Sequence, residues 1–176
     1  GRTWVRGFGD RPGPGNGELT GDSLFQIGSL TKLFTVATLM SLAEDGIVSL
    51  DDDLARLLGG QVPLSQNARA ITLRQLASHT SGLPSVPQPL MALPRDDADP
   101  YRRLDRQAIY QYLRTAEGLR PPGRIAYSNY GIGLLGHVLE SKADASLESL
   151  MAARIFGPLS MSSTFMTPIE GPGRAL

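Results

Sequence analysis

From Leu30 to about Glu44, the residues Leu33, Phe34, Val36, Ala37, Leu39, Met40, Leu42 and Ala43 leave almost no polar face at helical spacing. A helix that is apolar all round is a buried one. The spacing therefore predicts a long helix packed on every side, stopped at Gly46, with the rest of the domain assembled around it. A chain of 176 residues is long enough for one domain that buries about 70% of its unfolded surface.

The segment Phe25-Gln26-Ile27-Gly28-Ser29-Leu30-Thr31-Lys32 leads into that helix and puts Ser29 at its mouth. Lys32 lies three positions on and shares Ser29's face. A serine hydroxyl is a poor nucleophile until something takes its proton. A lysine amine one turn away can take it if burial and neighbouring positive charge lower its pKa. The free N–H groups of the helix N-terminus favour negative charge developing beside Ser29. Of the 17 basic residues only Lys32 and Lys142 are lysines, and arginine cannot act as a neutral base at working pH. With 15 serines and two lysines, chance alone supplies Ser-x-x-Lys about 0.2 times, so the pair needs further support.

Composition excludes several functions. Basic and acidic residues balance at 17 each, which gives no charge excess for nucleic acid or a membrane surface. There is no run of 18 apolar residues and no signal-peptide pattern at the start. A cleaved leader would leave no trace, so the compartment stays open. The absence of cysteine rules out disulfides and thiolate chemistry, and two histidines without cysteine argue against zinc. No cofactor is implied.

Elsewhere, Trp4-Val5-Arg6-Gly7-Phe8-Gly9 and Leu24 to Ile27 read as short strands, joined by a Pro/Gly-rich turn over 11–17. Asp51 is expected to cap a short helix over 52–58. Carboxylates at a helix start suit its dipole better than they argue for a cation site. Thr72 caps a helix over 73–78, followed by His79-Thr80-Ser81-Gly82-Leu83-Pro84. His79 tempts as a general base, but no acid or serine partner is placed by sequence. A histidine hydrogen-bonded to backbone beneath a loop is the better reading. Pro84 to Pro100 carries five prolines and suits a rim over a pocket. Asp105 caps a helix to about Glu117, another runs from Tyr130 to about Ser141, and Ser146 caps a last one ending at Gly157-Pro158.

Gly131-Ile132-Gly133-Leu134-Leu135-Gly136 matches the dinucleotide fingerprint in letters but fails in context, since no suitable strand precedes it and no acidic ribose partner follows. Small residues that permit close helix packing explain it better. Tyr127-Ser128-Asn129, just ahead of that helix, is more informative. A tyrosine near a lysine ammonium can exchange protons with a serine, and an asparagine can donate to a substrate carbonyl. The plainer alternative is a core tyrosine followed by a helix-capping asparagine.

Together these residues resemble the serine β-lactamase and penicillin-binding-protein superfamily, in particular its class C β-lactamase, D-alanyl-D-alanine carboxypeptidase and esterase branch. Phe25 to Lys32 resembles the nucleophile segment with its Ser-x-x-Lys motif. Leu76 to Pro84 is similar to a characteristic internal loop, Ala126 to Glu140 to the Tyr-x-Asn segment, and Pro158-Leu159-Ser160-Met161 to the next landmark. The resemblance implies Ser29 as the acylated nucleophile, Lys32 as its proton partner, Tyr127 as a second acid/base and Asn129 as a substrate contact. It leaves open which of Lys32 and Tyr127 takes the first proton.

It also implies an α+β, β-lactamase/transpeptidase-like fold: strands over 1–28 in a small, incomplete antiparallel sheet, then a mainly helical region over 29–176. The substrate would be a β-lactam, a D-alanyl peptide or a short-chain ester, and the location periplasmic or secreted. One departure is large. After Asn129 no Lys-Thr-Gly or His-x-Gly follows, since Lys142 precedes Ala143-Asp144 and His137 precedes Val138-Leu139. In the family that third motif supplies an oxyanion donor from a sheet strand. The expectation is therefore a partial domain completed by a second chain or by the remainder of the same protein. The alternative is a non-catalytic β-lactamase-fold binding or assembly protein, or an inactive fragment.

Overall fold

The computed structural model describes residues 2, 4–9, 18–87, 105–117 and 119–166. They form helix α1 (Thr31–Glu44), short helices α2 (Leu54–Leu58), α3 (Gln66–Arg69) and α4 (Leu73–Ala77), then α5 (Arg106–Leu113), α6 (Asn129–Ala143) and α7 (Leu147–Met151). A π-helical turn, Ala152–Phe156, continues α7.

The hub is α6, which packs against α1, α2, α4, α5 and α7. Its Leu134, Leu135, Val138 and Leu139 have no solvent exposure, which places them among the largest hydrophobic contributors to stability. Two glycines of the false fingerprint let neighbours close in. A Cβ on Gly136 would lie 3.1 Å from Leu147 Cδ2, and one on Gly131 would lie 3.1 Å from Ser128 Oγ. The glycines serve packing and capping, as their context indicated.

Helix α1 corrects an expectation. Thr35, Thr38, Leu39 and Leu42 are buried, but Leu33 is 66% exposed and Met40 51%. The helix is thus not enclosed all round: α6, α7 and the π turn cover one side, and the apolar stripe opposite faces outward among the described residues. Its two buried threonines satisfy their hydroxyls one turn back, Thr38 Oγ1 donating to Phe34 O at 2.9 Å and Thr35 Oγ1 to Thr31 O at 3.4 Å. The stop at Gly46 is as expected. With φ +71°, Gly46 donates its N–H to Ala43 O and Ile47 donates to Leu42 O, both at 3.0 Å, a Schellman closure.

Caps follow local chemistry with one shift. Thr72 forms a full capping box with Gln75, and Asp105 and Ser146 cap α5 and α7. The cap of α2 is Asp53 rather than Asp51, because the other two carboxylates are taken. Asp51 holds Arg74 through Nε at 2.8 Å and Nη2 at 2.9 Å. Buried Asp52 accepts the Ser49 N–H at 2.8 Å and pairs with Arg56. Among the described residues no carboxylate or histidine cluster suits a metal. Helix α5 ends at Leu113, short of Glu117.

The described residues contain no assigned strand of the expected sheet. Neither 4–9 nor 24–27 is a strand, Glu18 takes part in a β-bridge, the turn over 11–17 lies outside the described residues, and an isolated Asp53–Thr72 bridge is antiparallel. A lone two-stranded ribbon is marginal in water without further strands, and Gly7 and Gly9 weaken it further. Most of the expected proline-rich rim, 88–100, also lies outside the described residues. No described helix is long and apolar enough to cross a membrane.

Candidate active site

Ser29 lies in the single 3₁₀ turn Gly28–Leu30 that opens into α1. Gly28 has φ +53°, a left-handed conformation that glycine adopts without a Cβ penalty. It turns the chain from Ile27 into the helix. Lys32, in the first turn of α1, donates from Nζ to Ser29 Oγ at 3.2 Å, as the three-residue spacing requires.

Tyr127 arrives from the other end of the chain. Its segment precedes α6 and is pinned by the loop after α4: Ala126 N–H donates to His79 O at 2.8 Å, and Ser128 N–H to His79 Nδ1 at 3.1 Å. Ser128 Oγ donates to Pro84 O at 2.6 Å and accepts the Gly131 N–H at 2.8 Å, which makes it the cap of α6. Held in this way, Tyr127 donates its hydroxyl to Ser29 Oγ at 2.7 Å. Lys32 Nζ lies 5.0 Å from the centre of the tyrosine ring, within cation–π range. The sequence-predicted Ser29, Lys32 and Tyr127 therefore form one cluster.

Two hydrogen bonds converge on Ser29 Oγ, both donated to it. The Lys32 ammonium, and next the Ser29 hydroxyl, hold the Tyr127 phenol below the ordinary tyrosine range, because both stabilise the phenolate. A phenolate there is a proton acceptor for Ser29, and Lys32 is a second one when neutral. The cluster is open to solvent, with Tyr127 49% exposed, so an incoming acyl donor has access to the serine oxygen.

Asn129 occupies the first position of α6 rather than its cap, which Ser128 takes. Its Nδ2 donates to Ser85 Oγ at 3.4 Å, while Ser85 O accepts the Tyr130 N–H at 2.9 Å. His79 is a neighbour of the site that sequence reasoning assigned to the scaffold. Its ring lies over Tyr127, with centroids 4.6 Å apart and planes 35° from parallel. The backbone hydrogen bond was anticipated; the ring contact was not, because nothing in the spacing links positions 79 and 127.

Residues 1–174 match the Beta-lactamase family. The chain is 35% identical over 164 residues to the D-alanyl-D-alanine-carboxypeptidase/endopeptidase AmpH of Escherichia coli K12, covering 88% of this chain and 40% of that protein. Penicillin-binding protein 4 of Amycolatopsis lactamdurans is 30% identical over 153 residues, covering 86% and 38%. Among solved structures, a β-lactamase/D-alanine carboxypeptidase from Yersinia pestis superposes with TM-score 0.69 at 36% identity, covering 89% of this chain and 44% of that one. A class C β-lactamase from Rhodobacter sphaeroides gives 0.64 at 30%, covering 81% and 37%. The chain spans about 40% of the length of the curated relatives it matches. With its helical region superposing on β-lactamase-like folds and almost its whole length matched, this chain belongs to the Beta-lactamase family.

Proposed function

We propose that the chain carries the nucleophile side of a serine hydrolase working through an acyl-enzyme. Ser29 Oγ attacks the acyl carbonyl carbon and its proton passes to Tyr127 or Lys32. The carbonyl's bond to the leaving nitrogen or oxygen breaks, and the leaving group takes that proton. Water then hydrolyses the serine ester. Asn129 is proposed to hold the substrate's carbonyl. The substrate class is a β-lactam, a D-alanyl peptide or a short-chain ester, in a periplasmic or secreted protein. Residues 1–176 act as a single partial domain, completed by the remainder of the protein or a second chain. That completion would add the second oxyanion donor, whose absence slows such reactions by about 10²–10³-fold.

The observation that carries this reading is the convergence on Ser29 Oγ of Lys32, three residues away, and Tyr127, 98 residues away. A structural tyrosine does not require a hydrogen bond to the serine of a Ser-x-x-Lys pair.

The test is the intact mass, 18.9 kDa for this chain, after long incubation with a penicillin, a D-alanyl-D-alanine ester and p-nitrophenyl acetate in turn. The expected result is a one-to-one acyl adduct with at least one donor that disappears in Ser29→Ala. No adduct from any of the three, from this chain or from the full-length protein, would favour the non-catalytic reading.

A further inference from the structure

His79 grips three consecutive residues of the segment that delivers Tyr127. Its carbonyl accepts the Ala126 N–H, its Nδ1 accepts the Ser128 N–H, and its ring lies against the phenol between them. The strap is reinforced on its N-terminal side, with Gly123 N–H donating to Thr80 O and Arg120 N–H to Gly82 O, both at 2.9 Å. His79 adopts φ +58°, a conformation uncommon for a residue with a side chain. It aims the carbonyl and the ring at the same strand of chain. Backbone strain held at a site is an observation from which function can be inferred.

We propose that His79, as a neutral imidazole with Nδ1 free to accept, is a positioning residue that holds the Tyr127 hydroxyl on Ser29. The inference rests on the acyl-transfer reading of the site. An acceptor at Nδ1 requires the proton to sit on Nε2. Protonation would place an N–H at Nδ1 facing the Ser128 N–H, two donors with no acceptor between them, and the grip on residue 128 would fail. The charged and titratable groups facing the ring are Lys32 from α1 and Tyr127 from the strap. Burial first, and the Lys32 charge second, keep the imidazole's pKa below the usual histidine value. His79 therefore stays neutral at neutral pH and releases Tyr127 in acid.

The test compares His79→Asn and His79→Ala with wild type by the acylation rate of Ser29 with p-nitrophenyl acetate between pH 4.5 and 8. Asparagine tolerates the left-handed backbone and offers Oδ1 near the place of Nδ1, but it does not titrate. For wild type, the logarithm of the rate should fall with slope one as Tyr127 gains its proton, steepening to two once His79 also titrates. His79→Asn should keep the pH 8 rate within tenfold and hold slope one throughout. His79→Ala should lose about 10²-fold at pH 8, the usual size for a misplaced reacting group.

A His79→Ala rate within threefold of wild type overturns the proposal. So does a slope of two retained in His79→Asn, or an asparagine variant as slow as alanine. If wild type does not acylate at any pH, the acyl-transfer reading fails, and NMR decides His79 by itself in a His137→Gln background. An unprotonated Nδ1 with Tyr127 ring signals moving in step with the His79 titration supports the grip. Tyr127 signals indifferent to that titration overturn it.

Discussion

Replacing Tyr127 with phenylalanine isolates one oxygen atom. The hydroxyl lost is the group 2.7 Å from Ser29 Oγ, whereas the ring that lies on His79 and faces Lys32 is retained. With the residue 49% exposed, folding stability should change by no more than about 0.5 kcal/mol. Acylation should fall by about 10²–10⁴-fold, the range for a removed general acid/base, which equals about 2.7–5.4 kcal/mol of barrier. The pH dependence adds a sign. Lys32 lowers the Tyr127 pKa, so the phenolate fraction grows about tenfold per pH unit up to a value below the ordinary 10, and the wild-type rate should rise with it. In Tyr127→Phe that rise should vanish. The assay is the p-nitrophenol burst from p-nitrophenyl acetate, followed from pH 6 to 10 beside a thermal melt. A variant within threefold of wild type, or one keeping the same pH rise, would refute a proton-transfer role for Tyr127.

Other perturbations separate packing from chemistry. Gly82→Ala places a Cβ 2.1 Å from Arg120 O at φ +79°, so urea unfolding should show a loss of about 3 kcal/mol or more. On α1, Leu39→Ala empties a fully buried site and should cost about 2–5 kcal/mol. Leu33→Gln on the outward stripe should stay within about 0.5 kcal/mol in this chain. His79 has its folded pKa below the ordinary histidine value of 6.5, so its contribution to stability is present above that value and is lost as pH falls through the folded pKa. Denaturation midpoints should therefore decline more steeply in acid for wild type than for His79→Asn.

Legibility tracked the range of the interaction. Ser29 and Lys32 were readable because one helical turn fixes their approach. Thr72, Asp105 and Ser146 were readable because a cap bonds to its own first turn. In Asp51-Asp52-Asp53 and Ser128-Asn129 adjacent residues competed for one cap, and the outcome lay with distant partners: Arg74 for Asp51, Pro84 for Ser128. The apolar wrap of α1 stated what its faces favour but not what covers them, and one side stands open among the described residues. Tyr127 joined the site in the sequence reading through the family resemblance, since no local pattern carries a contact across 98 residues. The contact of His79 with Tyr127 left no sequence signal, and the left-handed backbone at His79 is visible only in the fold.

The most direct test of Ser29 activation is modification of the chain with a fluorophosphonate, followed by peptide mapping of its 15 serines. Activation by Lys32 and Tyr127 predicts modification at Ser29 alone, slowed by about 10²-fold or more in Lys32→Ala and in Tyr127→Phe. Modification scattered over several serines, or at Ser29 with a rate indifferent to both substitutions, would contradict it.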